Sequence, residues 1–190
     1  IISTGMSILS EIERTVNFLT KEGHDKIVLL HCVSVYPAAE QLMNLSFIDI
    51  LKSNFGFPVG LSDHTESNLS AIVAVGKNIE YIEKHITLDK KQKGFDHPYA
   101  TEPNDFHKYV EDIRNAESAN TLRENKMSSE ERNVMNRARR GIYLGKNLNE
   151  GDIICFDDLL VVRPPSDFGA DKIFKIIGKK IKNAKSKYSP

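Results

Sequence analysis

The stretch VGLSDHT at residues 59–65 decides how this chain is expected to fold. It is a short apolar run that ends in a serine, an acid, a histidine and a threonine. Polar side chains that follow a buried strand point into the loops where ligands and metals are held. A second stretch, residues 78–82, closes with Tyr81 and Ile82 and is followed in the same way by Glu83, Lys84 and His85. Two such histidines can share one divalent ion, although a lone histidine at a strand end is more often structural.

Apolar runs alternate with helical patterns along the first part of the chain, at about 20–30 residues per unit. The run at 27–30 has no polar alternation, which is typical of a strand buried on both faces of a parallel sheet. Four β/α units predict an α/β fold, the C-terminal half of a TIM (β/α)8 barrel, and an open doubly wound sheet fits the same periodicity. The predicted strands end at residues 2, 30, 61 and 82, and the helices carry the apolar groups Ile8/Ile12/Val16/Leu19, Phe47/Ile50/Leu51, 69–75 and Phe106/Val110/Ile113.

Each predicted strand is followed by candidate site residues. In a TIM barrel the ligand site is built at the carboxyl ends of the strands. Four coincidences of this kind, one per strand, predict a single composite site. In chain order the candidates are Ser3, then Ser34 and Tyr36, then Ser62 and His64, then Glu83 and His85.

The bulk composition argues against several classes of protein. The 190 residues carry 26 basic and 26 acidic side chains, so no net charge draws the chain to nucleic acid or to an acidic membrane. Cys32 and Cys155 are far apart and predict no disulfide framework. No apolar run approaches the roughly 18 residues of a membrane span. We therefore expect a soluble, cytoplasmic protein without nucleic-acid or membrane partners, whose lysine-rich tail at 179–187 is a solvated surface.

The composition changes twice after the barrel-like part. Residues 119–138 are polar and charged and are predicted to be a linker that follows a barrel domain at 1–118. Short apolar runs separated by turns then predict a small, strand-rich second domain at 139–190. These runs lie at 142–144, 153–155 and 159–162. Because residues 1–2 look like the end of a strand, we expect the given sequence to begin in the middle of the barrel domain.

Six motifs occur in an order that resembles the sialic acid (N-acetylneuraminate) synthase family. They are STGM at 3–6, LHCxSxYP at 30–37, GLSDHT at 60–65, IEKH at 82–85, LD at 88–89 and VRP at 162–164. The resemblance covers nearly the whole chain. It implies half of a TIM barrel, without the first four strands, followed by an incomplete, mostly β antifreeze-like (SAF, β-clip) domain.

The resemblance also implies a reaction. Members of this family condense phosphoenolpyruvate with an N-acetylated hexose, usually N-acetylmannosamine, and release a nonulosonic acid and phosphate. The implied cofactor is a divalent metal, Mn²⁺ with Mg²⁺ or Co²⁺ as alternatives, and imidazole suits such borderline ions. The resemblance further implies a domain-swapped homodimer.

Residue roles carry over at the positions that match. His64 and His85 match the two protein ligands of the metal, and Glu83 fits a general acid/base or charge-stabilising role beside them. These three residues are the predicted catalytic group. The other matches are Ser3, Ser34 and Ser62 around phosphoenolpyruvate, Tyr36 and Asp96 near the sugar, and Arg163, which is expected to reach into the partner subunit's barrel.

Several points stay open on the sequence alone. Val33, Phe95 and the pair at 39–40 depart from the family's pattern on the sugar side, so the sugar is not fixed. Lys84 fits either a phosphate contact or an ion pair with a strand-end carboxylate, and His97 is expected to be solvated. The remaining histidines, His24, His31 and His107, are predicted to be structural.

Two other functions also fit. One is a truncated, inactive fragment that keeps only binding or dimerisation. The family's phosphate-contacting lysines on the early strands are absent from these residues, so we expect the 190-residue chain alone to lack synthase activity. The other is a metal-dependent hydrolase on a TIM barrel, which usually needs more ligands than His64 and His85 supply.

Overall fold

The computed structural model describes residues 1–122, 124 and 127–190. The chain divides into two compact units, residues 1–122 and 123–190. Part of the linker predicted at 119–138 lies outside the described residues, at positions 123, 125 and 126. In the rest of that stretch one helix ends at Asn120 and another spans Ser129–Ala138.

The first unit is a parallel four-stranded sheet with helices between its strands. The strands lie side by side in chain order, so the sheet has no point at which the strand order reverses. Since a doubly wound sheet has such a reversal, the structure confirms the partial, TIM-barrel-like α/β fold. The elements are β1 (Ile2–Ser3), α1 (Leu9–Lys21), β2 (Leu29–Cys32), α2 (Phe47–Phe55), β3 (Val59–Asp63), α3 (Leu69–Gly76), β4 (Ile82–Lys84) and α4 (Pro103–Asn120).

The two faces of the sheet carry different side chains. One face packs with the helices into an apolar core, to which the strands give Leu29, Val59 and Leu61. The other face is the inner side of the half-barrel. Cys32 on β2, Ser62 on β3 and Glu83 on β4 are register partners, and neighbouring residues in register point to the same side. A row of polar side chains therefore crosses the inner face near the carboxyl ends of the strands.

Two predicted apolar groups differ in detail from the structure. Ile8 caps α1 in an extended conformation and is 67% exposed, while Ile12 and Val16 are buried as expected. On α2, Ile48 and Leu51 face the sheet, and the predicted Ile50 does not. Ile8 precedes the first turn of α1, whereas α2 begins after Ser46 as expected and buries the stripe that contains Ile48 instead of Ile50.

The predicted apolar face of α4 is also only partly buried. Tyr109 is the buried residue of this helix, and Val110 remains 37% exposed. Phe106, Val110 and Ile113 instead line a groove of about 560 Å³ along the free edge of β4. Since α4 packs against α3, the face that contains Tyr109 points inward, and the predicted apolar residues lie beside that contact.

The second unit is small and only partly regular. Helix α5 (Ser129–Ala138) is capped by Ser128, whose Oγ accepts a hydrogen bond of 3.1 Å from the Glu131 amide. β5 (Gly141–Leu144) and β6 (Leu159–Val162) form an antiparallel pair, and α6 is the short helix Ile173–Ile176. The prediction of a strand at 153–155 was wrong, because this segment forms an isolated bridge between Ile153 and Lys180 instead of a strand.

No helix in the described ranges combines the length and the apolar character that crossing a bilayer requires.

Candidate active site

The histidines that follow β3 and β4 lie next to each other. The ring centroids of His64 and His85 are 5.3 Å apart, and the planes meet at 70°. Each loop is fixed by its main chain, because the His64 carbonyl accepts a 2.9 Å bond from the Ala38 amide and the His85 carbonyl accepts a 2.8 Å bond from the Thr101 amide. Parallel pairing of β3 with β4 is what brings the two rings together.

An aromatic side chain from the loop after β2 covers the histidine pair. The ring of Tyr36 lies 4.1 Å from that of His64 and 5.6 Å from that of His85, measured between centroids. A second tyrosine, Tyr99, lies 6.4 Å from Tyr36, and Phe95 follows at 6.3 Å from Tyr99. The site therefore has one aromatic wall, built from the loops after β2 and β4.

Main-chain contacts fix the tautomer of His64. Its Nδ1 lies 2.8 Å from the Val33 carbonyl oxygen, which can only accept, so Nδ1 carries the proton. Nε2 is then the lone-pair nitrogen of the neutral ring, 3.3 Å from Ser62 Oγ. Ser62 donates its only proton to Glu83 Oε1 at 2.7 Å. Nε2 of neutral His64 is therefore the ring nitrogen whose lone pair is available to a donor or a cation.

The half-buried thiol of Cys32 belongs to the same cluster. Burial raises the pKa of Cys32, but hydrogen bonds with His64 and with neighbouring serines outweigh it and leave the pKa below its ordinary value. Burial likewise lowers the pKa of His64, but its bonds to Cys32 and Val33 outweigh that effect and raise the pKa. Cys32 was missed as a site residue, because its register with Ser62 is not visible in the sequence.

Two of the predicted serines lie toward β1. Ser34 approaches the loop after β1 so closely that a Cβ on Gly5 would lie 2.2 Å from Ser34 Oγ. Only glycine fits at that position without displacing the serine. Ser3 is exposed on β1, in register with Leu30 of β2. These two hydroxyls therefore lie on the β1–β2 side of the site, away from the β4 edge.

The loop after β4 carries two further polar residues. Asp96 is exposed, and its Oδ2 lies 3.9 Å from His85 Nδ1. His97 was expected to be solvated, which was wrong. It is half-buried, and its Nδ1 lies 2.8 Å from Thr87 Oγ1, so it helps to shape the loop.

Lys84 forms an ion pair with a strand-end carboxylate, which was one of its two predicted roles. Its Nζ lies 3.1 Å from Asp63 Oδ2, and Tyr109 donates its hydroxyl to the same oxygen at 2.8 Å. Burial, and after it the charge of Asp63, raise the pKa of Tyr109 far above its ordinary value, so its hydroxyl stays a donor. Arg163 lies in the second unit, exposed, one residue after β6.

The residues present fit a divalent cation with two protein ligands. In the described ranges no group of three or more His, Cys, Asp or Glu side chains has the geometry to hold a metal ion. His64 and His85 supply two adjacent imidazoles, and Nε2 of His64 is one suitable donor. Water and substrate oxygens would complete such a shell, as in other catalytic sites that keep open positions.

A half-barrel with polar side chains at the carboxyl ends of its strands defines an enzyme-like class of α/β protein. The sequence model of the NeuB family matches residues 1–125, so the chain belongs to the NeuB family. This confirms the resemblance to the sialic acid synthases drawn from the sequence motifs.

Individual relatives agree with this membership. An uncharacterised protein of Methanocaldococcus jannaschii is 39% identical over 97% of this chain and 55% of its own length. The N,N'-diacetyllegionaminic acid synthase of Legionella pneumophila is 37% identical over 95% of this chain and 52% of its own length. The crystal structure of the N-acetylneuraminic acid synthetase of Leptospira borgpetersenii superposes with a TM-score of 0.61 at 34% identity, covering 70% of this chain and 46% of that one. The chain thus spans about half the length of the curated relatives it matches.

Proposed function

We propose that this chain provides half of the active site of a nonulosonic acid synthase, which condenses phosphoenolpyruvate with an N-acetylated hexose and releases phosphate. The observation that carries the proposal is the cluster of His64, His85, Glu83 and Ser62 on adjacent strand ends. Membership of the NeuB family, with named synthases among its relatives, supports the reaction class.

The histidine pair holds the cofactor in this proposal. His64 and His85 bind a divalent ion, Mn²⁺ with Mg²⁺ or Co²⁺ as alternatives, through neutral imidazoles. When bound, such an ion acts as a Lewis acid on the aldehyde oxygen of the open-chain sugar. The Val33 carbonyl keeps the His64 proton on Nδ1 and so leaves Nε2 for the ion.

The remaining chemistry falls to the side chains. The methylene carbon of phosphoenolpyruvate bonds to the aldehyde carbon as the carbon–oxygen π electrons move to the aldehyde oxygen, which takes a proton from solvent to become a hydroxyl. Water adds to the resulting oxocarbenium carbon and gives its proton to the Glu83 carboxylate. The carbon–oxygen bond to phosphate then breaks and phosphate leaves with the electron pair, while the new hydroxyl gives its proton to the departing phosphate and becomes the keto group of the product. Ser3, Ser34 and Ser62 hydrogen-bond phosphoenolpyruvate.

The sugar lies on the aromatic side of the site. Tyr36 and Asp96 both border the histidine pair there, and we assign them to the acceptor sugar. The acceptor is N-acetylmannosamine or a relative, and the legionaminic acid synthase among the similar proteins adds diacetylated sugars to that class.

The second unit contributes through a partner in this proposal. We assign residues 139–190 to an antifreeze-like domain of a cytoplasmic, domain-swapped homodimer, in which Arg163 reaches the partner subunit's site. The pair β5–β6, directly before Arg163, supports the assignment, because it places the arginine at the end of an ordered strand.

Release of inorganic phosphate tests the function. The natural protein that contains this sequence should release phosphate from phosphoenolpyruvate only when N-acetylmannosamine or a diacetylated relative and Mn²⁺ are both present. Chelation with EDTA should abolish the release, and adding Mn²⁺ should restore it. Phosphate release that continues in EDTA, or that needs no sugar, would contradict the proposal.

A further inference from the structure

A buried network lies on the helix side of the strands that carry the two histidines. Asp63 directly precedes His64, and Lys84 directly precedes His85. Because side chains alternate along a strand, these two residues point away from the site and toward α4. The side chains of Lys84 and Asp63 are only 6% and 0% exposed. The site thus has a charged pair directly behind it.

Every oxygen of the Asp63 carboxylate has partners in this network. Oδ2 accepts from Lys84 Nζ at 3.1 Å and from the Tyr109 hydroxyl at 2.8 Å. Oδ1 accepts from the amide and the hydroxyl of Thr65, at 2.9 and 2.8 Å. Lys84 Nζ donates to the Thr65 carbonyl as well, and it lies 5.0 Å from the centre of the Tyr109 ring. Three elements, β3, β4 and α4, therefore meet at one carboxylate.

This arrangement holds His64 between two anchored neighbours. Asp63 and Thr65 are both fixed by the network, so the backbone of His64 between them has little freedom. Lys84 fixes the strand end from which His85 projects. A buried ion pair adds little net stability compared with apolar residues of the same volume. The role argued for this pair is therefore to fix the positions of β3 and β4 relative to α4.

The geometry points to Asp63, Lys84 and Tyr109 as positioning residues that set the spacing of the His64 and His85 rings. The inference rests on the proposed function, in which the two rings hold one ion. Nitrogens bound to one ion at about 2.1 Å each lie within about 4 Å of one another. A small shift of one strand end would therefore carry one ring out of reach of the shared ion.

The variant Tyr109→Phe tests the inference, because it removes one hydroxyl and keeps the ring. We expect Mn²⁺ to bind the 190-residue chain about tenfold more weakly than it binds the unaltered chain, as for other residues behind metal ligands, measured by electron paramagnetic resonance titration. In the metal-free protein, nuclear Overhauser effects between the His64 and His85 rings should weaken. The matched control is Tyr143→Phe, which removes a 3.0 Å bond to the Pro164 carbonyl in the other unit and should change neither measurement.

A second pair of variants tests the positive charge of Lys84. Lys84→Met should weaken Mn²⁺ binding and the ring-to-ring effects at least as much as Tyr109→Phe. Lys77→Met removes a lysine that pairs with Asp49 on the surface and serves as its control. Unchanged ring-to-ring effects in both Tyr109→Phe and Lys84→Met would overturn the inference. If the unaltered chain binds no Mn²⁺, the metal role in the proposed function fails, and the metal-free ring measurement still decides the positioning role.

Discussion

Among single residues, Glu83 and Ser62 do the most to define the chemistry of the site. Ser62 donates to Glu83 on the neighbouring strand, and this bond keeps its proton away from His64. Glu83 is exposed on the inner face, where water can reach it. A carboxylate that borders the proposed cation site and meets water is suited to take a proton from that water.

Replacing Glu83 by glutamine should therefore impair catalysis and spare metal binding. We expect Glu83→Gln in the natural protein to release phosphate roughly 100-fold more slowly or worse, because general acid–base groups contribute about 10²–10⁴-fold. Mn²⁺ affinity should change little, since Glu83 is not one of the two proposed ligands. Glu80→Gln changes an exposed carboxylate three residues earlier and is the matched control. Equal rates for the two variants would show that Glu83 has no such role.

His31 makes the stability of the first unit sensitive to acid. Its Nε2 donates to the Met43 carbonyl at 2.6 Å, and in the described part of the chain its buried Nδ1 has no hydrogen-bond partner. Burial lowers the pKa of His31, more than the bond to Met43 raises it. Between the lowered pKa and the ordinary value of about 6.5, the unfolded chain binds the proton and the folded chain does not. Stability should therefore fall as the pH drops below about 6.5.

Denaturant unfolding at several pH values checks this prediction. The free energy of unfolding of His31→Gln should fall less steeply below pH 6.5 than that of the unaltered chain, because the side chain that titrates is gone. His24 is exposed, and His24→Gln should keep the original slope. Parallel curves for His31→Gln and the unaltered chain would contradict the account.

Among the elements, β3 is the strand most tightly enclosed. All five of its residues are buried, and it lies between β2 and β4. Gly60 is essential there, since a Cβ would lie 2.5 Å from the Tyr81 carbonyl oxygen and 2.6 Å from a methyl of Leu30. A side chain at Gly60 would have to push β2 or β4 away.

Gly60→Ala should accordingly destabilise the first unit by about 1–3 kcal/mol, the usual cost of overpacking a core. Gly76→Ala is the control, because nothing lies within 4 Å of a Cβ at the last residue of α3. That change should be neutral or stabilising, by up to about 1 kcal/mol. Thermal unfolding followed by circular dichroism measures both, and equal melting temperatures would contradict the packing described for β3.

The same strand shows what sequence patterns can predict and what they miss. The apolar run before Ser62 and the polar residues after it predicted both the strand and its edge of the site. Tyr109 was missed because its partner, Asp63, lies 46 positions away and only packing of α4 brings them together. Cys32 was missed because its role depends on its register with Ser62. Periodicity predicts the type of an element, whereas long-range pairing determines which face is buried.

At the scale of the whole molecule, the half-barrel has two free sheet edges, β1 and β4. Free edges favour pairing with further strands. The groove beside β4 is lined by apolar side chains of α4, which suits added strand–helix units. We expect the 190-residue chain by itself to release no phosphate with N-acetylmannosamine, phosphoenolpyruvate and Mn²⁺, because a sheet of four strands borders the proposed site on one side. Phosphate release by the isolated chain would contradict this expectation.

The stoichiometry of Mn²⁺ binding tests the central claim, that β3 and β4 bring His64 and His85 to one ion. We predict one Mn²⁺ per chain by electron paramagnetic resonance titration of the unaltered protein. We also predict loss of that binding in His64→Ala and, separately, in His85→Ala, with His107→Ala, a change on α4, as the unaffected control. Equal binding by the unaltered protein and by both single-histidine variants would contradict the claim.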